Sequence, residues 1–364
     1  MIKNNSIILT LDAGGTNFVF SALQHGKIIS DTVQLPASTK TEVSCTETII
    51  KGFELLKNNL HSPISAISFA FPGPADYSNG IIGDLPNFPG INGDYPLKLL
   101  LKKHFNCPVF INNDGNLFAY GEALSGALLE INETLNNNGN PKRFSNIIGI
   151  TLGTGIGSGI VINGTLLKGD NSSEAEIHNM SNLNNPNWNI EESVSTRAIQ
   201  RVYSEVAKIE LDSILMPKDI FEIAQGNTEG NQEAAISSFN EYGKALGYVI
   251  SDIITLIDGL VVIGGGITAA WKFFAPALFE AMQSQHQNST GKFSKRTTIK
   301  VFNLESDTDR QTFLKGNVKN IQISRNSSVI YDTMSRTAIM RSKNGASVST
   351  SLGAYYYALS QLNS

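Results

Sequence analysis

Two stretches of the chain share one pattern of apolar and polar positions. "ILTLDAGGTNFVFSALQHGKII", from Ile8, reads as an apolar run, a glycine-rich turn at Gly14-Gly15-Thr16, a second apolar run, a turn at Gly26 and a third short run. "IGITLGTGIGSGIVINGTLL", from Ile148, repeats the plan, with "NG" at Gly164. Short β-branched runs bounded by glycine turns predict strands joined as hairpins. Two such hairpins about 140 residues apart predict a duplicated lobe with a cleft between the copies.

The rest of the pattern predicts an α/β chain. "ISAISFAFPGPAD" is a strand entering a Pro-Gly loop, and "CPVFINNDGNLFAYGEALSGALLE" is a strand, a polar corner and an apolar-rich helix. "ALGYVISDIITLIDGLVVIGGGITAAWKFF" reads as a buried helix, a strand at Leu260 to Ile263, three glycines and another helix, the kind of strand-to-helix point that ligands favour. Asn132 to Asn146 is expected as a polar surface loop. Leu304 to Lys343 is expected as an insertion or irregular strands, and "TSLGAYYYALSQL" as a short closing helix.

Composition removes several function classes. A chain of 364 residues with 41% hydrophobic content has room for two or three domains. The formal charge of -4, with no basic run along a helix, offers no footprint for nucleic acid. Phe144 to Leu167 carries no charge for 24 residues, but its Gly, Ser, Thr and Asn content predicts a hairpin rather than a membrane span. The apolar run before Asp12 is too short for an export signal. Cys45 and Cys107 stand far apart, with no His or Cys near them, so the chain reads as cytoplasmic and without a disulfide framework.

Candidate chemistry gathers at the glycine turns and the polar corner. Glycine lets backbone N–H groups approach an anion, so the two hairpin turns together form a candidate phosphate clamp, although either alone is equally an ordinary turn. Neither fits the P-loop or the dinucleotide-binding pattern. Asp114 enters a helix, where dipole and free N–H groups favour an ionised carboxylate, so it is expected to be charged at pH 7. The plainer reading makes Asn113 or Asp114 the N-cap. "SEAEIHNM" and "NIEESVSTRAI" carry Glu174, Glu176, Glu191 and Glu192, suited to binding several hydroxyls or equally to solvated helix starts, "EESVS" more readily the latter.

"LDAGGTN", "FAFPGPAD", "INNDGNLFAYGE", "ITLGTGIGSGI", "AEIHNM", "VVIGGGI" and "LGAYYYAL" stand in the order and spacing of the ROK family of sugar kinases and sugar-responsive repressors, which the chain resembles along its length. The resemblance implies a two-lobed actin-like (ribonuclease H-like) ATPase fold with duplicated mixed sheets. It implies lobes at 1–120 plus 350–364 and at 121–349, and a homodimer. By resemblance, Asp12 holds Mg²⁺ through water, Gly14, Gly15 and Thr16 form the first phosphate loop, and Gly153, Thr154 and Gly155 form the second. Gly264, Gly265 and Gly266 pack against adenosine. Asp114 matches the catalytic base, Asn113 a sugar contact, and Glu176 and Glu191 the sugar-binding glutamates, while Gly80, Pro86 and Asn87 line the sugar pocket. The family's "GEIGHM" stands here as "AEIHNM", which puts Asn179 where a sugar- and zinc-binding histidine is usual and His178 one place early. The cysteine cluster that follows in the family is replaced by "NLNNPNWNIEE". No zinc site is therefore expected. The loop from Ser181 to Ile190 is expected to be anchored by Trp188, Asn179 to remain able to bond a sugar hydroxyl, and His178 to pack or lie on the surface rather than bind sugar.

What the resemblance implies is ATP-dependent phosphorylation of a hexose at the C6 hydroxyl, with glucose or another aldohexose first and an N-acetylhexosamine second. The alternative is a slow or non-catalytic sugar-binding regulator. Against DNA binding, the first strand begins by Ile7, ahead of which the family's repressors carry their helical DNA-binding segment.

Overall fold

In the computed structural model, residues 5–13, 17–37, 41–85, 90–210 and 215–363 are described. Strand Ile8–Ala13 pairs antiparallel with Asn17–Gln24, Ile8 opposite Leu23 and Asp12 opposite Val19. The "HG" turn takes φ of 52° at His25 and 70° at Gly26, and "NG" takes 51° at Asn163 and 74° at Gly164. Two positive φ values in succession match the twist of the flanking strands. The charge-free run is thus largely hairpin, and no described helix is long and apolar enough to cross a membrane.

Two mixed six-stranded sheets follow one order. The first runs Lys27–Ile28, Asn17–Gln24, Ile8–Ala13, Ala66–Ala70, Val109–Asn112, with Val33–Pro36 also paired to Asn17–Gln24. The second runs Thr165–Leu166, Ile156–Ile162, Ile147–Leu152, Leu260–Gly264, Arg336–Arg341, Lys300–Asn303. In each, the hairpin is followed by strands that join in parallel, which requires crossover connections of a dozen or more residues.

By packing, the chain divides into two compact units: Met1–Leu129 with Ser158–Ala175 and Ser342–Ser364, and Glu130–Gly157 with Glu176–Arg341. Ser158–Ala175, which lies inside the expected 121–349 lobe, packs with the first unit.

In the first unit the period of two along Ile8–Ala13 buries both faces. Leu9 and Leu11 join a core with Phe20, Phe53 and Phe69, while Ile8 joins Ala66, Tyr355 and Ala358. Phe20 and Phe53 meet edge to face at 5.0 Å. Helix Asp114–Ser125 lies directly on the closing helix Ala346–Leu362, longer than expected, because Gly121 and Gly353 carry no Cβ. One at Gly353 would collide with the Leu117 carbonyl, one at Gly121 with that of Ser349. This fixes the helix that begins at Asp114.

In the second unit, helices Gln232–Leu256 and Trp271–Gln283 approach closely at Gly243 and Gly247, beneath the carbonyls of Phe274 and Leu278. Two sequence expectations need correction. Asn132–Asn146 is not all loop: helix Ala127–Asn137 reaches into it, with Leu128, Ile131 and Leu135 buried while Asn136 and Asn137 take its solvent side. Leu304–Lys343 is not irregular either. It holds helix Asp307–Lys315, an exposed hairpin of Val318–Ser324 and Ser327–Asp332, and the buried strand Arg336–Arg341. Arg336 is only 2% exposed. Its guanidinium bonds Asp332 at 2.6 Å and lies 5.0 Å from the Phe313 ring centre. Burial works to raise the Asp332 pKa, but donors from Asn317, Asn140, Met334 and Arg336 outweigh it and bring the value to about 2.

Candidate active site

Asp114 stands at the exit of strand Val109–Asn112, where the chain turns into helix Asp114–Ser125. Capping is done by Asn113, whose Oδ1 accepts from the N–H of Gly115 at 2.8 Å and of Asn116 at 3.4 Å. The N-cap role, open in the sequence to either residue, thus falls to Asn113. Asp114 Oδ1 accepts from Gly115 N–H at 2.9 Å. Asp114 is reached by solvent, yet protein atoms crowd its carboxyl and raise its pKa above the ordinary 3.8. The Gly115 N–H pulls it down and the charge of Asp12 adds to the rise. The amide donors that favour the anion are present, but the loss of solvation around the carboxyl outweighs them, so the pKa lies above the ordinary value rather than below it.

Asp12 ends strand Ile8–Ala13 and accepts a hydrogen bond from Ser347 Oγ at Oδ2. Among the described residues its Oδ1 has no hydrogen-bond partner and is able to take a hard cation. This suits Mg²⁺, which keeps several waters and takes few protein ligands beside substrate phosphates. Among the described residues no group of three or more His, Cys, Asp or Glu is placed to hold a metal ion. Gly14, Gly15, Thr16, Pro86 and Asn87 lie outside the described residues. Gly80, at φ 70°, is a turn glycine pressed on the Lys98 side chain.

In the second unit the alternating glycines divide by use. Gly153 and Gly155 close a tight turn, Gly153 N–H to Gly155 O at 3.0 Å. The carbonyl of Gly153 accepts from Thr196 Oγ1 at 3.1 Å and that of Thr154 from Thr196 N–H at 3.2 Å. Because a trans peptide sets N–H opposite C=O, the N–H groups of Thr154 and Gly155 point away from Thr196, an arrangement able to receive an anion. A Cβ on Gly153 would meet nothing within 4 Å, whereas one on Gly155 would strike the Glu191 carboxylate and one on Gly157 would press on Thr151 Oγ1. Gly159, in the first unit, lies against Gly115 O and Asn116. The missing side chains therefore make room mostly for the protein's own groups, and of these four glycines Gly153 alone faces open space among the described residues.

Glu191 is seated under Gly155, within 3.4 Å of Ile156 N–H and 3.2 Å of the Arg197 guanidinium, which also binds Glu192 at 2.6 Å. Glu176 precedes a 3-10 turn, and its Oε2 is 2.8 Å from His178 Nδ1. His178 is thus held on a carboxylate, while Asn179 is exposed. Gly265, at φ 97°, sits so close to the Leu152 carbonyl that no Cβ fits, and Gly266 faces open space. Arg197 and Ser347, which hold Glu191 and Asp12, were not assigned from sequence. Only the i+5 and i+6 spacing in "EESVSTR" hints at the first.

The loop from Ser181 to Ile190 is held chiefly by Asn182, 3% exposed. Its amide donates to Asn189 O at 3.1 Å and Ser193 Oγ at 2.8 Å, and its Oδ1 accepts from Asn184 N–H at 2.9 Å. Trp188, expected as the anchor, contributes its carbonyl to Asn182 N–H at 3.3 Å and a ring face to Arg201 at 4.7 Å. Asn182→Ala should cost about 1–3 kcal/mol, because buried partners lose their bonds. EDTA should leave the wild-type Tm unchanged. Thermal denaturation with and without chelator checks both.

The ROK family model matches residues 8–306. A crystal structure of glucokinase from Parabacteroides distasonis is 46% identical, with 99% of both chains covered and a TM-score of 0.88. A glucokinase of Thermotoga maritima is 29% identical over 286 residues, 72% of this chain and 83% of the relative. A ROK glucokinase of Streptomyces griseus, solved with glucose and AMPPNP, is 18% identical, with a TM-score of 0.62 over 96% of this chain and 99% of that one, a likeness of fold.

Proposed function

The chain belongs to the ROK family, and from that premise we propose that it is an ATP-dependent hexose kinase acting on the C6 hydroxyl of glucose or a related aldohexose, with N-acetylhexosamines second. The observation that carries this reading is Asp114: a residue that solvent reaches at a helix entrance, with capping done by Asn113 and the carboxyl's proton affinity raised. Such a group can take the hydroxyl proton as the sugar oxygen attacks the γ-phosphorus, a contribution of roughly 10²- to 10⁴-fold. The likeness to the glucokinase of Parabacteroides distasonis, and the glucose and AMPPNP of the Streptomyces griseus complex, support the choice of sugar and nucleotide.

Phosphoryl transfer asks mainly for positioning and charge neutralisation. The reading gives Thr154 and Gly155 N–H groups the phosphates, Gly264, Gly265 and Gly266 the adenosine, and Glu176, Asn179, Glu191 and Asn113 the sugar hydroxyls. Asp12 would hold Mg²⁺ through water, and the ion would supply charge neutralisation on the phosphates. Gly80, Asn87, Gly14, Gly15 and Thr16 keep the roles the resemblance implies. The expected homodimer belongs to the same reading and is checked by sedimentation.

Glu191→Gln is expected to raise the sugar KM about 10- to 100-fold, the worth of a charge-assisted hydrogen bond, with the ATP KM within about threefold of wild type. Coupled ADP release at varied sugar and ATP measures it. Unchanged sugar KM would take Glu191 out of the site. Sugar binding by calorimetry without turnover would favour the regulatory alternative.

A further inference from the structure

Glu174 stands two residues before Glu176, in a segment whose backbone is unusual. Ser172 and Ala175 both adopt left-handed φ, 53° and 58°, conformations that are strained for a residue with a Cβ. In the family motif quoted above the position of Ala175 is a glycine. The segment keeps this shape through bonds within the first unit: Ser172 Oγ accepts from Tyr77 N–H at 3.2 Å, and Ala175 O accepts from Ser158 Oγ at 2.6 Å. Glu174 Oε2 accepts from Gly169 N–H at 3.0 Å, and its Oε1 from Asn116 Nδ2 at 2.7 Å.

Asn116 is 2% exposed and lies in the first turn of the helix that begins at Asp114. The second Nδ2 hydrogen goes to Asn112 Oδ1 at 3.1 Å, and the same oxygen accepts from Asn113 N–H at 2.7 Å. Asn112 Oδ1 therefore staples the peptide entering Asp114 to the turn that follows it. Asn116 holds the staple only with its amide turned so that Nδ2 faces both acceptors, and in that orientation its buried Oδ1 finds no partner among the described residues. A buried orphan acceptor is costly. Turning the amide over would set Oδ1 against two acceptors, the Glu174 carboxylate and Asn112 Oδ1, so the observed orientation is the one these two hold, Glu174 through the shorter and charged bond.

We propose that Glu174 is a positioning residue for phosphoryl transfer: through Asn116 and Asn112 it fixes the backbone on which Asp114 is presented. The proposal rests on Asp114 being the base. A misplacement of about 1 Å can cost about 10²-fold in rate.

The test is steady-state kinetics of Glu174→Ala, Glu174→Gln, Asn116→Ala and the double variant Glu174→Ala/Asn116→Ala, with Tm recorded for each. Glu174→Ala is expected to lower kcat about 10- to 100-fold, with sugar and ATP KM within about threefold. Glu174→Gln, which keeps an acceptor for Asn116, should recover most of the rate. The double variant should be no slower than the slower single one, as expected of residues in one chain of bonds. If Glu174→Ala does not fold, Glu174→Asp replaces it: one methylene shorter, it falls short of Asn116 and should show the same loss. A folded variant with unchanged kcat, equal losses in Gln and Ala, or losses that multiply would overturn the proposal while leaving the kinase reading intact. Wild-type protein without sugar-dependent turnover would overturn both.

Discussion

Asp114→Asn is expected to lose roughly 10²- to 10⁴-fold in kcat while melting at or above the wild-type temperature. The two halves of this result share one cause. The folded protein raises the Asp114 pKa above its ordinary 3.8, so between that value and the folded one the native state binds more protons than the unfolded chain. Stability then falls as pH rises through that window, and the charged carboxylate remains a burden above it. Asparagine carries no such charge, so its advantage in Tm should be absent at low pH and appear above the ordinary carboxylate range. For the same reason the acid limb of kcat/KM should lie above that range. Coupled ADP release and thermal denaturation at several pH values measure all three. A variant that loses activity and Tm together would make Asp114 a structural residue.

Asp332→Ala is expected to destabilise the protein by about 3–5 kcal/mol, the usual consequence of leaving one member of a buried ion pair behind. Arg336 is the partner left, with Nε and Nη2 already lacking acceptors among the described residues. Asn140 Nδ2 and the N–H groups of Asn317 and Met334 lose the same carboxylate, so the hairpin Val318–Ser324 and Ser327–Asp332 loses its attachment to strand Arg336–Arg341. Since the Asp332 pKa is held at about 2, below the ordinary 3.8, the stability it contributes is present above the ordinary value and fades as pH falls toward 2. Asp332→Leu with Arg336→Met should lie closer to wild type than either single change, because an apolar pair avoids the unpaired charge. Urea denaturation resolves the differences. Single and double variants of equal stability would contradict this account of the pair.

The same pair explains where the sequence was hard to read. A buried arginine at the head of "RTAIMR" breaks the apolar run, and its compensating aspartate lies four residues earlier, in an exposed hairpin, so the strand was lost in a polar segment. Helix Ala127–Asn137 was hidden likewise, its Leu128, Ile131 and Leu135 face outnumbered by polar neighbours. By contrast, the two hairpins, the strand Leu260–Gly264 and the corner at Asp114 were legible because turn chemistry and periodicity agree there. Within the candidate site, residue types were legible but occupancy was not. Gly155 looks like a phosphate glycine and is one that a Glu191 carboxylate also requires. The raised Asp114 pKa depends on the protein atoms the fold gathers around its carboxyl, which no local pattern encodes.

The measurement that bears most directly on the central claim is coupled ADP release with Mg-ATP across glucose, mannose, fructose, N-acetylglucosamine and N-acetylmannosamine, with the phosphorylated carbon read by NMR. The account expects hexose-dependent turnover that places phosphate on C6, fastest with glucose or another aldohexose. Release of ADP at the same rate with and without every sugar, or phosphate on a carbon other than C6, would contradict it.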